Sequence, residues 1–175
     1  MDTHQLRFLK NEFLTLSLLG ALGRSKTYSE SAPKDVRGKF RRSLRTKLVE
    51  VASRYKVPVD DASHAVNIGE VADAMTEQFA DCLRGRRFRI GTAQKCLNLY
   101  LKYLWCVGVI PAPPHCPFDA TIVARLPKGR QLSWTALDTI QGYLTMVHAA
   151  RSVAGSTPIA EWELRVWTKE SERHV

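Results

Sequence analysis

Residues 84–126 read RGRRFRIGTAQKCLNLYLKYLWCVGVIPAPPHCPFDATIVARL, and the order of signals within them decides the fold. Arg84-Gly85-Arg86-Arg87 is a basic turn. Ile90-Gly91-Thr92 then leads into an apolar run in which Leu97, Leu101, Leu104 and Trp105 recur at helical spacing. Thr92 is the expected N-cap of a helix reaching about Val107. Pro111, Pro113, Pro114 and Pro117 forbid a continuous helix over 110–118. A further helix is expected over about 118–126, ending before Pro127-Lys128-Gly129-Arg130.

Outward from this stretch the same period recurs. Upstream, Leu6, Leu9, Phe13, Leu16 and Leu19 mark a helix over 4–22, with Gly20 and Gly23 near its end. Residues 25–33 are a polar connection. Asp35 is the expected cap of a helix whose apolar face is Val36, Phe40, Leu44, Leu48 and Val51. Val57-Pro58-Val59-Asp60-Asp61 breaks it, a short helix fills 60–66, and a longer one spans 68–83 with Val71, Ala74, Met75, Phe79 and Leu83 inward. Downstream, Ser133 is expected to cap a helix over 134–153, and Pro158 to open the last over 158–170. No repeat, low-complexity tract or alternating strand pattern interrupts this series. The class is all-α, a compact helical domain expected to take in residues 1–175 as one unit.

A chain of 175 residues that is 45% hydrophobic can bury one substantial core. Its net charge of +9 and pI near 9.7 favour a polyanionic partner, nucleic acid first and an anionic membrane surface second. No apolar run is long enough to span a bilayer, and the N-terminus lacks a secretory layout, so a cytoplasmic, nucleoid-associated protein is expected. Cys82, Cys96, Cys106 and Cys116 lack paired spacing, which argues against zinc, iron–sulfur and disulfide frameworks. Neither H-E-x-x-H nor a P-loop is present. On the second helix Arg37, Lys39, Arg41, Arg42, Arg45 and Lys47 stand against Asp35 and Glu50 only, which suits either phosphate contact or a plain solvated face.

Two residues carry candidate chemistry. With Thr92 as cap, Lys95 falls in the first helical turn, where the helix dipole and nearby Arg86, Arg87 and Arg89 disfavour its charged form. A lysine that sheds its proton readily is a nucleophile; the bland alternative is a lysine that snorkels to solvent. Asp119 follows Pro117 near another helix start, where a carboxylate commonly only caps. Helix starts joined by so short a connection can meet at one mouth. Trp105, Trp134, Trp162 and Trp167 are core residues or stacking platforms, and His115 lies beside Asp119, whereas His64 and His148 read as structural.

Arg84–Leu126 resembles the hairpin and catalytic segment of the helix–hairpin–helix DNA glycosylases, especially the archaeal 8-oxoguanine glycosylase branch. In that branch a Gln-Lys pair near the start of an apolar helix supplies a lysine, as Gln94-Lys95 would here, and a Pro-x-Asp supplies an aspartate, as Pro117-Phe118-Asp119 would. The resemblance covers about forty residues; the hairpin has only Ile90-Gly91 where many members have two glycines, and the four-cysteine cluster of some members is absent. It implies a helix–hairpin–helix element within about 68–126 and a glycosylase that flips and excises a modified base. Lys95 and Asp119 would be catalytic, with AP-lyase chemistry through a lysine Schiff base. Arg86, Arg87, Arg89, Gly91 and Thr92 would hold the DNA backbone, with Arg41, Arg42 and Arg45 as a second basic contact. Trp162, taken as the family's C-terminal aromatic, would line the base pocket with His115, Leu99 and Gln94. No metal or cofactor is implied; the expected partner is double-stranded DNA carrying a modified base, and a monomer is expected. The base would be 8-oxoguanine in repair, or a bulky modified cytosine of viral DNA, as in relatives that resemble phage-defence factors. The competing class is a non-enzymatic helical DNA- or RNA-binding protein gripping through residues 35–51; a helical ribonuclease is a third, without the R-x4-H signature of one common type.

Overall fold

A capping box starts the chain: Asp2 accepts from the His4 amide at 2.8 Å while Gln5 accepts from the Asp2 amide at 3.1 Å, opening α1 (Thr3–Leu22). The computed structural model describes residues 2–127, 129 and 133–172 and is all-α, with seven α-helices and no strand among those residues. Lys128 and Arg130 of the expected break lie outside them. After α1 come α2 (Lys34–Ala52), α3 (Asp61–Phe79), α4 (Ile90–Cys106), α5 (Ala120–Val123), α6 (Ile140–Ala154) and α7 (Ile159–Glu172).

The expected elements need four corrections. Pro33, not Asp35, is the N-cap of α2; Asp35 sits in its first turn and pairs with Lys39 at 3.7 Å. The expected helices 60–66 and 68–83 are one helix ending at Phe79. The polar residue between them, Asn67, is buried and finds tertiary partners, donating to Tyr55 Oη at 3.0 Å and accepting from Arg54 at 2.6 Å, so it does not compete with its own backbone. The helix expected over 118–126 is a single turn, α5. Ser133 caps no long helix: Trp134–Ala136 is a short 3₁₀ turn, and α6 begins after Thr139, whose hydroxyl accepts from the Gly142 amide at 3.1 Å.

Helix α4 is the axis of the fold. Twelve of its 17 residues are buried, because α1 lies along one side while α2, α3, α6 and the 134–136 turn cover the others. That enclosure explains a helix apolar around most of its circumference. Its start is fixed by backbone rather than by a cap. The Gly91 amide donates to Leu137 O at 2.9 Å, and a Cβ at Gly91 would stand 1.7 Å from Trp134 O. Only glycine admits that approach. Next to it, the connection before α4 turns through Gly85 and Arg86, both at positive φ, 66° and 57°. The α1–α2 loop is laced to the same connection by Ser29 N to Cys82 O (3.0 Å) and Arg84 N to Thr27 O (2.9 Å).

Candidate active site

The N-cap of α4 is Arg89, so Thr92 lies inside the helix, 3% exposed, and Lys95 falls in the second turn rather than the first. The field of a helix terminus fades over one turn, so it is not the main influence on Lys95. Burial is. Lys95 is 4% exposed, and desolvation holds its ammonium below the usual lysine range; Asp119 opposes the shift and Arg24 adds to it. The expected direction therefore stands with a different cause, since Arg86, Arg87 and Arg89 are not among the contributors.

Asp119 is both a cap and a partner. Its Oδ1 accepts from the Ile122 amide at 3.0 Å, opening α5, while Oδ2 faces Lys95 Nζ at 3.6 Å. Both side chains are buried, and Nζ lies 4.5 Å from the centre of the Trp134 ring. The strap before Asp119 is clasped to α4 by two amides. Gln94 Nε2 donates to Phe118 O at 2.8 Å and its Oε1 accepts from the Phe118 amide at 3.2 Å; Asn98 Nδ2 donates to Cys116 O at 3.0 Å.

Lys95 and Asp119 open into a cleft of about 310 Å³. Leu16, Gly20 and Arg24 form one wall, Leu99, Lys102 and Tyr103 continue the α4 wall, and Trp167 of α7 closes it. Lys102, two turns along from Lys95, pairs at 2.9 Å with Glu163, which is fully buried and whose carboxyl is pushed up to about 7 by burial. Trp167 also lies 5.5 Å from the Lys102 amine. Apolar walls, two amines, the Arg24 guanidinium and one carboxylate, Asp119, make a site suited to a flat, polar-edged ligand.

No family model, curated protein or solved structure matches this chain. The site is therefore described by its own geometry.

Of the expected pocket residues, only Leu99 lines the cleft. Trp162 is half-buried against the core, and Trp167 takes the position in the cleft. Gln94 is the clasp just described. His115 is fully buried, held by Tyr143 at 2.8 Å and Asp61 at 3.2 Å, and its pKa is pushed down to about 4 by burial. One signal for the missed residues was present. Glu163 and Trp167 are one helical turn apart, and Lys95, Leu99 and Lys102 share a face at i, i+4 and i+7.

The expected DNA-contact residues form two groups. Around the connection before α4, exposed Arg86 pairs with Asp81 at 2.7 Å, Arg87 with Asp138 at 2.9 Å, and Arg89 donates to Thr135 O at 3.2 Å. Arg87, Arg89 and Thr92 border a pit of about 10 Å³, with Lys26 and Arg84, which is room for one atom-sized group. Gly91 does not offer its amide to a phosphate, because Leu137 O already accepts it. On α2, Arg41 and Arg42 are exposed, whereas Arg45 ties α2 to α1 through Thr15 Oγ1 (3.1 Å) and Asn11 O (3.4 Å). No described helix is long and apolar enough to cross a membrane, and the four cysteines are free.

Proposed function

We propose that this chain is a DNA glycosylase, with AP-lyase capability, that receives an extruded modified base in the Lys95–Asp119 cleft. The observation that carries the proposal is the buried amine held 3.6 Å from a buried carboxylate at the wall of an open cleft. Segment 84–126 adds the resemblance to helix–hairpin–helix glycosylases, and the charge of +9 suits a DNA partner.

The chemistry follows from those two groups. A base inside a duplex is out of reach, so the nucleotide must swing out into the cleft. As the glycosidic bond stretches, C1′ becomes positive and Asp119 Oδ2 stabilises it. The neutral Lys95 amine donates its lone pair to C1′, the C1′–N bond breaks with its electron pair going to the base, and the departing base gains a proton. The amine sheds a proton, for which Asp119 is the nearest acceptor. Opening of the sugar at the C1′–O4′ bond, with a proton to O4′, leaves a protonated imine on Nζ. Loss of a C2′ proton then expels the 3′ phosphate, or water hydrolyses the imine. Lys102 and Trp167 would meet the base, as an amine donor and a stacking face, with the fully buried Glu163 anchoring Lys102 from behind. The open 310 Å³ cleft favours a base with a bulky substituent, such as a modified cytosine of viral DNA, over 8-oxoguanine.

Borohydride reduction with duplexes carrying each modified base is the test. A covalent adduct in the wild type that disappears in Lys95→Ala is the expected result. Loss of no base from any duplex would sink the proposal. The exposed Arg41 and Arg42 favour a second reading, a non-enzymatic grip on nucleic acid through α2. In that case the double Arg→Ser variant loses binding and Lys95→Ala loses nothing.

A further inference from the structure

A buried hydrogen-bonded chain of six side chains runs from the edge of the fold to the backbone beside Asp119. At its outer end Arg151 Nη2 meets Asp61 at 2.6 Å. Asp61 Oδ1 lies 3.2 Å from His115 Nε2, and His115 Nδ1 lies 2.8 Å from Tyr143 Oη. Asn98 Nδ2 shares its two hydrogens among three acceptors, Tyr143 Oη at 3.3 Å, Gln94 Oε1 at 3.2 Å and Cys116 O at 3.0 Å. Gln94 then clasps both backbone polar groups of Phe118.

The donors and acceptors can be assigned in one consistent direction. A carboxylate only accepts, so the His115 proton is on Nε2 and its bare Nδ1 accepts the Tyr143 hydroxyl proton. The Tyr143 oxygen then accepts from Asn98. Tyr143, His115, Asn98 and Gln94 are each fully buried, so every bond in this run forms away from competing water. A buried network of this kind fixes geometry, because any slip leaves further polar groups unpaired beside Asn98 Oδ1, which has no hydrogen-bond partner among the described residues.

What it fixes is the strap that carries Asp119. His115, Cys116 and Phe118 all belong to the chain of bonds, and Asp119 is the next residue. Asp119's own hold on Lys95 is slack at 3.6 Å, and its other oxygen serves as a cap one turn into α5. The distance between amine and carboxylate is therefore set from behind, by the strap. Reactions between positioned groups lose about a hundredfold for a misplacement near 1 Å.

We infer that Tyr143 and His115 are positioning residues for the Lys95–Asp119 pair, holding the 115–118 strap against α4 through Asn98 and Gln94. This rests on the reading of Lys95 and Asp119 as the reactive pair. A neighbouring network supplies the control. The Tyr55 hydroxyl is also buried, but it ends on His64 Nδ1 at 2.7 Å and Asn67 at 3.0 Å; it hydrogen-bonds no strap residue and reaches the strap only through the edge-on packing of the His64 ring on His115, 4.6 Å between centroids.

The experiment compares Tyr143→Phe, Tyr55→Phe and wild type, each losing one hydroxyl and keeping its ring. Acetic anhydride labelling reads Lys95 reactivity without DNA, and single-turnover borohydride trapping reads the reaction. Tyr143→Phe should change Lys95 labelling at pH 7 by about threefold or more, the equivalent of half a pKa unit. It should also slow trapping about tenfold at saturating protein, with the half-saturating concentration unchanged. Tyr55→Phe should lower the melting temperature and leave labelling as in wild type. If Tyr143→Phe fails to fold, Asp61→Asn at the exposed end takes its place, with a smaller change expected in the same readout. Unaltered labelling in the folded variant overturns the inference, and so does an equal change in Tyr55→Phe. If wild type traps no DNA, the lysine Schiff-base step fails, and if no base is lost either, the glycosylase proposal fails; labelling still decides whether the chain positions the pair.

Discussion

Two lysines of α4 line the same cleft, each beside a buried carboxylate, and burial displaces the amine in one pair and the acid in the other. In the Lys95–Asp119 pair the contact is 3.6 Å, one carboxylate oxygen is committed to capping α5, and it is the amine whose pKa is displaced, downward. In the Lys102–Glu163 pair both carboxylate oxygens lie 2.9 Å from the amine, and it is the acid that is displaced, up to about 7. A desolvated amine with a half-occupied partner can give up its proton and attack. A desolvated acid sealed behind the cleft wall can keep a proton near neutrality and so tune the amine of Lys102 that it anchors. Pairs of titratable groups pushed apart in this way divide the labour of a site. Under the proposed function, covalent chemistry falls to the first pair, and contact with the base falls to Lys102 of the second.

The largest expected effect separates the two amines. Lys95→Met should abolish borohydride trapping, a loss on the order of a thousandfold or more, whereas Lys102→Met should retain the adduct and weaken substrate binding about tenfold. The reverse pattern would exchange the roles. Next, Asp119→Asn should slow single-turnover excision about a hundredfold while melting close to wild type, because asparagine caps a helix as well as aspartate does. A large fall in melting temperature would show that Asp119 matters chiefly as a cap.

Smaller effects sharpen the acid side. The folded pKa of Glu163, about 7, lies above its ordinary 4.5, so the folded protein holds the extra proton between those values. That contribution to stability is fully present below about pH 4.5 and is lost as pH rises through 7, on the order of 3 kcal/mol. Urea melts of Glu163→Gln should lack this component, read as a smaller fall in stability between pH 5 and pH 8 than wild type shows. Smallest is Arg24→Gln at the exposed rim. Removing that charge should raise the Lys95 pKa slightly and slow trapping at pH 7 about twofold, with the difference fading in high salt.

Helix content was the most legible part of the chain, because burial on one or more faces imposes the 3.6-residue repeat that α1, α2 and α4 display. Helix ends were less so. Thr92 has the side chain of a cap, yet it is enclosed, and backbone contacts with residues 134–137 start α4 three residues earlier. The meeting of Lys95 with Asp119 was expected from two helix starts joined by a short connection, yet Lys95 lies in the second turn of α4, and the clasps from Gln94 and Asn98 bring the strap before Asp119 to it. The identity of the stacking aromatic did not, since Trp162 and Trp167 lie on different faces of α7, and which face meets the cleft depends on how α7 is seated. Lys102 and Glu163 were legible only as face-sharing neighbours of Lys95 and Trp167; that they pair with each other depends on the seating of α7. Gly91 announced a close approach, but not that the neighbour would be this protein's own Trp134 rather than a phosphate.

The enclosure of α4 also has a consequence for synthesis. Its walls are supplied partly by helices that leave the ribosome before it and partly by α6, which follows it. While α6 is still being made, the nascent chain exposes one apolar flank of α4 together with Asn98, whose partner Tyr143 has not yet arrived. Productive folding is thus delayed until most of the chain is available, and a ribosome paused between α4 and α6 would hold an intermediate with exposed apolar surface, the kind of surface that holdase chaperones bind.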